Sequence, residues 1–166
     1  MTLLPHDTEI SSLADSLGRA LKQKGLMMAT AESCTGGGIA EAVTRVSGSS
    51  AWFDCAFVTY SYEAKTSMLG VHRDTLVDHG AVSEKTAHEM VEGAIARSRA
   101  QVAIAVTGIA GPTGGMPDKP VGTVWFAWKI PKKPIISMVC HFDGDRVAIR
   151  QQTIVHALRE LLHNLS

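Results

Sequence analysis

A short apolar run, Leu26 to Thr30, passes directly into Ala31-Glu32-Ser33-Cys34-Thr35-Gly36-Gly37-Gly38 and then into Ile39-Ala40-Glu41-Ala42-Val43. This reads as a strand, a tight polar turn and a helix, and it commits the chain to a fold in which a strand feeds a helix through a glycine turn. A hydroxyl and a thiol stand side by side where backbone N–H groups gather at a helix start. Such a turn can cap the helix, hold an anion or carry a nucleophile. Spacing alone leaves the three readings open.

The flanking sequence repeats the alternation. Ile10, Leu13, Ala14, Leu17, Ala20 and Leu21 recur at helical spacing before Gly25, a residue suited to follow a helix end. The glycine turn opens a helix to about Val46. Cys55 to Tyr60 predicts a second strand, Glu63 to Leu69 a short helix stopped by Gly70, and Arg73 to His79 a further helical turn. Ser83 is an N-cap for a helix from Glu84 to about Arg99. Gln101 to Val106 predicts a third strand, and Thr107 to Pro120 a glycine- and proline-containing loop. Val121 to Ile130 and Ile135 to Phe142, joined by Pro131-Lys132-Lys133-Pro134, predict an antiparallel hairpin. A last helix starts at Arg146, with Ile154, Ala157, Leu158, Leu161, Leu162 and Leu165 on one stripe. The expected fold class is α/β: a three-layer α/β/α sandwich whose mixed, mostly parallel sheet of about five strands is closed by the C-terminal hairpin and helix. Right-handed crossovers would bring Ser33, the Tyr60–Lys65 region and the Thr107 loop to one sheet edge.

The chain has 166 residues, enough for one domain spanning 1–166 with a real core. Lys plus Arg and Asp plus Glu both number 16, with no basic block or aromatic–basic interleaving, which argues against a nucleic-acid partner. Met1 to Asp7 shows no basic region followed by an apolar stretch, and no run is long enough to span a membrane. A soluble, cytoplasmic protein is expected. The three cysteines, Cys34, Cys55 and Cys140, make no C-x-x-C spacing and no disulfide frame. The seven histidines are dispersed; His156 and His163 share a helical face, but no carboxylate or cysteine completes a ligand set, so no metal is expected.

Several residues can carry chemistry. Ser33 needs a base to become a nucleophile. Lys65 supplies one if burial holds it neutral. Tyr60, at the end of the second strand, can relay a proton or orient the lysine. Cys34 is the competing nucleophile, favoured at a helix N-terminus, and with Lys65 and Glu63 or Glu32 it would make a thiol amidase set. The bland readings are a helix cap for Ser33, a solvated lysine for Lys65 and a packing cysteine for Cys34. The loop Thr107-Gly108-Ile109-Ala110-Gly111-Pro112-Thr113-Gly114-Gly115 lacks a Walker A ending but allows close backbone approach to a ligand. Arg146 and Arg150, four apart at the start of the last helix, share a face and suit phosphate or carboxylate, or simply a solvated surface.

These stretches together resemble the CinA C-terminal domain family of nicotinamide-nucleotide amidases. The matching segments are Thr30 to Gly37, Phe57 to Ser61 with Glu63-Ala64-Lys65, Gly80 to Glu84, Val106 to Pro112, Lys119 to Trp125, and Phe142 with Gly144-Asp145-Arg146. They run in order over nearly the whole chain. The resemblance implies a three-layer α/β/α fold. It implies hydrolysis of the carboxamide of nicotinamide mononucleotide to nicotinate mononucleotide and ammonia, in pyridine nucleotide salvage, without metal or redox cofactor. It maps a serine nucleophile onto Ser33, a lysine base onto Lys65 and their partner onto Tyr60. The oxyanion would be held by N–H groups of Thr35, Gly36 and Gly37. Thr107 and Gly108 would meet the substrate, and Arg146, then Arg150, would take its phosphate. Tyr62 departs from the family pattern, which has asparagine there; an aromatic beside the base would narrow the pocket. Some relatives carry an additional N-terminal pyrophosphatase-type domain, for which 166 residues leave no room. A homo-oligomer, simplest as a dimer, is expected. The alternatives are a non-catalytic nucleotide-binding or competence-linked interaction module, or an amidase for another carboxamide.

Overall fold

The computed structural model describes residues 6–166. Met1 to Pro5, part of the stretch on which the no-leader reading rests, lies outside the described residues. The elements follow as α1 (Asp7–Lys24), β1 (Met28–Glu32), α2 (Gly38–Thr44), β2 (Phe53–Val58), α3 (Tyr62–Leu69), α4 (Arg73–His79), α5 (Glu84–Ala96), β3 (Val102–Gly108), β4 (Thr123–Lys129), β5 (Ile136–His141) and α6 (Arg146–Leu165). The five strands form one sheet in the order β2-β1-β3-β4-β5. β1 is parallel to β2 and β3, while β4 is antiparallel to both β3 and β5. Four strands therefore point the same way and β4 alone runs back. Among the described residues, no helix is long and apolar enough to cross a membrane.

Side-chain parity divides the core into two layers of different texture. Val102, Ile104 and Val106 of β3, with Val124, Phe126 and Trp128 of β4, pack beneath α1, α2 and α6. The alternate residues Ala31, Ala103, Ala105 and Ala127 form the other face, under α5. Large side chains on one face and alanines on the other let α5 lie close to the sheet. Trp128 is fully buried and satisfies its indole by donating to the Ala157 carbonyl oxygen at 3.1 Å. Its ring stacks on Phe126 with centroids 5.4 Å apart. Burying each such side chain contributes roughly 1.5–3 kcal/mol.

The element boundaries shift from the expected ones for identifiable reasons. Leu26 does not begin β1; it closes α1, donating its N–H to Leu21 O at 3.0 Å beyond Gly25, whose φ is 64°. β1 instead runs on through Glu32, where it still pairs with both Val58 and Val106. β2 starts earlier and stops at Val58, because its partner strand ends. Beyond it, Thr59 N–H takes the Glu32 carbonyl at 2.8 Å and the chain turns away. The consequence is that Ser33 follows immediately on a central strand flanked on both sides.

Candidate active site

Ser33 is fixed by the sheet before the turn begins. Its N–H donates to Val106 O at 3.1 Å, so the nucleophile candidate is tethered to β3. Gly36 N–H then closes back on Ser33 O at 3.0 Å, and Gly36 and Gly37 take φ values of 59° and 95°, which only glycine adopts without strain. Strand parity sends consecutive side chains to opposite faces. Glu32 points towards α2, and Ser33 points towards α3.

Glu32 is fully buried and saturated. Its Oε1 accepts from Thr35 Oγ1 and Ile39 N–H, both at 2.8 Å, and its Oε2 accepts from Thr30 Oγ1 and Ala40 N–H, both at 2.9 Å. The carboxylate thus caps α2 and braces both flanks of the Ser33 turn. This settles two of the readings left open by the sequence. The α2 amides are occupied by a protein carboxylate rather than offered to an anion, and Glu32 is on the wrong face to serve a Cys34–Lys65 set. Glu63 lies in a separate groove with Tyr62, Thr66, Arg73, Leu76 and Val77. Tyr62 is in that groove too, so it does not narrow the cavity around Ser33.

Lys65 comes from α3, whose start is fixed by Ser61: the Ser61 hydroxyl accepts from Ala64 N–H at 3.0 Å. The lysine is only 1% exposed. Its Nζ lies 3.0 Å from Ser33 Oγ and donates to the Thr59 carbonyl oxygen at 2.7 Å. Burial pushes its pKa down to about 8. Burial pushes the neighbouring Cys34 thiol up to about 12, with the Glu32 carboxylate adding to the rise. A lysine of lowered pKa within hydrogen-bond reach of a serine hydroxyl, beside a thiol held protonated, is the arrangement that a serine nucleophile with a lysine base requires.

Tyr60 and the arginines are arranged differently from the expectation. The Tyr60 hydroxyl is not the hydrogen-bond partner of Lys65; that partner is the Thr59 carbonyl, which sequence reading missed because any residue can supply it. The Tyr60 hydroxyl instead accepts from an Arg146 NH2 at 2.8 Å, and the same guanidinium donates to Gly111 O at 2.7 Å. Arg150 does not reach the cavity. It donates to the carbonyls of Cys34 and Thr35 at 3.1 and 3.0 Å, clamping the turn from behind. The two arginines sit one turn apart on α6, yet Arg146 bonds to Gly111 and Tyr60 and Arg150 to the Ser33 turn.

A cavity of about 320 Å³ opens in front of Ser33, within the range of small-molecule sites. Ser33, Cys34, Tyr60, Lys65, Thr107, Gly108 and Arg146 line it, together with Ala81, Val82 and the Ile109–Gly111 and Thr113–Gly114 stretches. Thr107 is fully buried and donates its hydroxyl to Ala81 O at 2.7 Å, which ties the two walls together. Gly108 has a steric reason: a Cβ there would come within 2.7 Å of Val124 Cγ2. Thr35, Gly36 and Gly37 are not in the lining, and the Gly36 N–H is already spent on Ser33 O. Among the described residues, no backbone acceptor takes the N–H of Cys34 or Thr35.

The chain is 50% identical over 155 residues to the nicotinamide-nucleotide amidohydrolase PncC of Escherichia coli (strain K12), covering 93% of this chain and 94% of that protein. It is 53% identical over 153 residues to the protein of the same name from Pseudomonas putida, covering 92% and 95%. The crystal structure of the competence/damage inducible protein CihA from Agrobacterium tumefaciens superposes with a TM-score of 0.92 at 48% identity, covering 99% of each chain. The model of the CinA C-terminal domain matches residues 10–165. With the strand–turn–helix around Ser33, the mixed five-stranded sheet and these matches agreeing over nearly its full length, the chain belongs to the CinA C-terminal domain family.

Proposed function

We propose that this chain is a nicotinamide-nucleotide amidase that hydrolyses the carboxamide of nicotinamide mononucleotide to nicotinate mononucleotide and ammonia, with Ser33 as nucleophile and Lys65 as base. The relatives named for that reaction support the substrate. The observation that carries the mechanism is the 3.0 Å approach of Lys65 Nζ to Ser33 Oγ inside the cavity.

Neutral Lys65 donates one N–H to Thr59 O and turns its lone pair to the Ser33 hydroxyl. As Oγ bonds to the carboxamide carbon, the hydroxyl proton passes to Nζ and the carbonyl π electrons move to oxygen. The developing oxyanion is received by backbone N–H groups of the turn. Of the expected Thr35, Gly36 and Gly37 donors, Gly36 gives its N–H to Ser33 O, and Cys34, which lines the cavity beside Ser33, adds an N–H that no backbone acceptor takes among the described residues. One such donor is worth about 3–4 kcal/mol of barrier. The proton on Nζ then passes to the amide nitrogen, the C–N bond breaks and ammonia leaves. Water, deprotonated by the same lysine, attacks the acyl ester, releasing the nicotinate carboxyl and regenerating Ser33. Arg146 is the phosphate ligand of this reading: it is the arginine in the lining, hydrogen-bonded to Tyr60 at the rim, whereas Arg150 is committed to the turn.

The test is ammonia release from nicotinamide mononucleotide by Ser33→Ala, Lys65→Ala and Cys34→Ala. Loss in the first two with retention in the third is expected. Turnover that survives Ser33→Ala and disappears in Cys34→Ala overturns the serine assignment. Tight nucleotide binding by the unaltered chain with no turnover overturns the enzymatic reading in favour of a binding module.

A further inference from the structure

Met138, Cys140 and His156 bring two sulfurs and an imidazole nitrogen together between β5 and α6. None of the three lines the Ser33 cavity. Met138 and Cys140 are two apart on β5, so their side chains share a face. Their pairing with Phe126 and Val124 puts that face over the core beneath α6. From α6, His156 Nε2 comes to 3.5 Å from Cys140 Sγ and 3.3 Å from Met138 Sδ. One ring nitrogen therefore faces two sulfurs at once. Ligand atoms bound to a common metal at ordinary M–N and M–S lengths, with bond angles of a three- or four-coordinate site, lie roughly 3.6 Å apart. The observed separations need only a few tenths of an ångström of adjustment.

We propose that Met138, Cys140 and His156 form a binding site for a soft monovalent metal ion, Cu(I). Thioether and thiolate sulfurs with imidazole make a soft donor set, which selects Cu(I) over magnesium, calcium or manganese. Zinc is disfavoured by the thioether and by charge. Among the described residues, no three of His, Cys, Asp and Glu gather closely enough to ligate, and Glu160 acts on Cys140 and His156 only through its charge. The surroundings match a site of low net charge. His156 is ringed by Phe126, Trp128 and Phe142, with centroids 4.8, 6.0 and 6.2 Å away. A Cu(I)–thiolate pair is neutral in this largely apolar shell, and the two charges that reach His156 from α6, Glu160 and Arg159, are opposite in sign. On binding, the Cys140 S–H proton goes to solvent as the Cu–S bond forms; copper stays Cu(I) and no electron moves. Entry is from the sheet edge, where β5 is the outermost strand and Met138 is 38% exposed.

The experiment is anaerobic titration of the Cu(I)–bicinchoninate complex with the full chain, reading the loss of its colour as the protein extracts copper. The unaltered chain and Cys55→Ser are expected to extract one equivalent. Cys140→Ser and Met138→Leu should weaken extraction by at least the roughly 10- to 100-fold that loss of an outer-shell partner costs. Met138→Leu is the safeguard, since it conserves volume at a partly exposed edge position and leaves the fold intact. X-ray absorption of the loaded protein should show two sulfurs and one imidazole nitrogen. Extraction that is equal in the unaltered chain and Met138→Leu, that disappears in Cys55→Ser, or that is absent altogether overturns the proposal.

Discussion

Lys65 Nζ and Ser33 Oγ stand 3.0 Å apart with the lysine almost completely buried, and among the described residues no carboxylate neutralises the ammonium form. Desolvation therefore sets the protonation state, lowering the pKa to about 8. At pH 7 about a tenth of the lysine is the neutral base. The kcat/KM for nicotinamide mononucleotide is expected to rise through an apparent pKa near 8 and then level off. Lys65→Ala should remove roughly the 10²- to 10⁴-fold that a positioned base contributes. Lys65→Arg should not restore it, because a guanidinium stays charged. A pH–rate profile with no inflection near 8 would contradict this role of the lysine.

The same shift makes a stability statement. In the folded chain Lys65 loses its proton at about 8, and in the unfolded chain near the ordinary 10.5. Between those values the unfolded state binds more protons, so stability rises with pH across that window and its full cost is felt below it. Lys65→Met keeps the bulk and removes the buried ammonium. It is expected to raise stability at pH 7 by a part of the roughly 3 kcal/mol that such a shift represents, and to flatten the rise between pH 8 and 10.5. Urea unfolding at pH 7 and pH 10 for both proteins checks the sign.

Glu32 bears on the proposed nucleophile Ser33 indirectly, through two threonine hydroxyls and two backbone amides. Its four acceptor contacts join β1, the turn and the first turn of α2. Glu32→Gln keeps the shape but turns an amide NH2 towards a donor that the carboxylate had accepted. Leaving such buried donors unmet costs about 1–3 kcal/mol each. The variant is expected to unfold at lower denaturant. Where it stays folded, it should lose kcat with little change in KM, because Ser33 is displaced while the Arg146 side of the cavity is untouched. An unchanged kcat in a folded Glu32→Gln would show that the brace does not position the serine.

What was legible in the sequence follows from how locally each feature is encoded. The alternation of apolar runs with Gly25, Gly70 and Gly80 marked nearly every element, because a glycine at a helix end is a backbone requirement written in one letter. Thr30 to Gly37 marked the strand–turn–helix for the same reason. The partner of Lys65 was not legible, since the Thr59 carbonyl is present whatever the side chain. Nor was the division of labour between Arg146 and Arg150. Their spacing predicts one shared face, but Arg146 lies where α6 begins beside Gly111 and Arg150 one turn deeper, level with the Ser33 turn. Glu32 was visible as a carboxylate next to the nucleophile, and only strand parity tells that it points the other way.

The two arginines should separate kinetically. Arg146→Ala is expected to raise KM for nicotinamide mononucleotide by about 10- to 100-fold, the range of a lost charge-assisted contact, with a smaller effect on kcat. With nicotinamide riboside, which lacks the phosphate, the same variant should lose little. Arg150→Ala removes the clamp on the Cys34 and Thr35 carbonyls. It should lower kcat for both substrates alike and lower the Tm. A KM effect of Arg146→Ala that is equal on nucleotide and nucleoside would place the phosphate elsewhere.

Cys34 offers a direct check on the proposal that the Ser33 oxygen, and not the adjacent sulfur, is the nucleophile. Its thiol is 4% exposed, and burial with the Glu32 charge behind it holds the pKa up at about 12. The reactive thiolate is then almost unpopulated at neutral pH, whereas Cys55 and Cys140 are only partly buried. Iodoacetamide at pH 7.5 is expected to alkylate Cys34 last, with peptide mass spectrometry reading each site. Cys34→Ala should keep kcat within a few-fold, since what the turn needs from this position is its N–H and its carbonyl towards Arg150, both supplied by backbone. Fast alkylation of Cys34 accompanied by loss of turnover in Cys34→Ala would mean that the thiol is ionised in the working site, and the roles of the two neighbours would have to be exchanged.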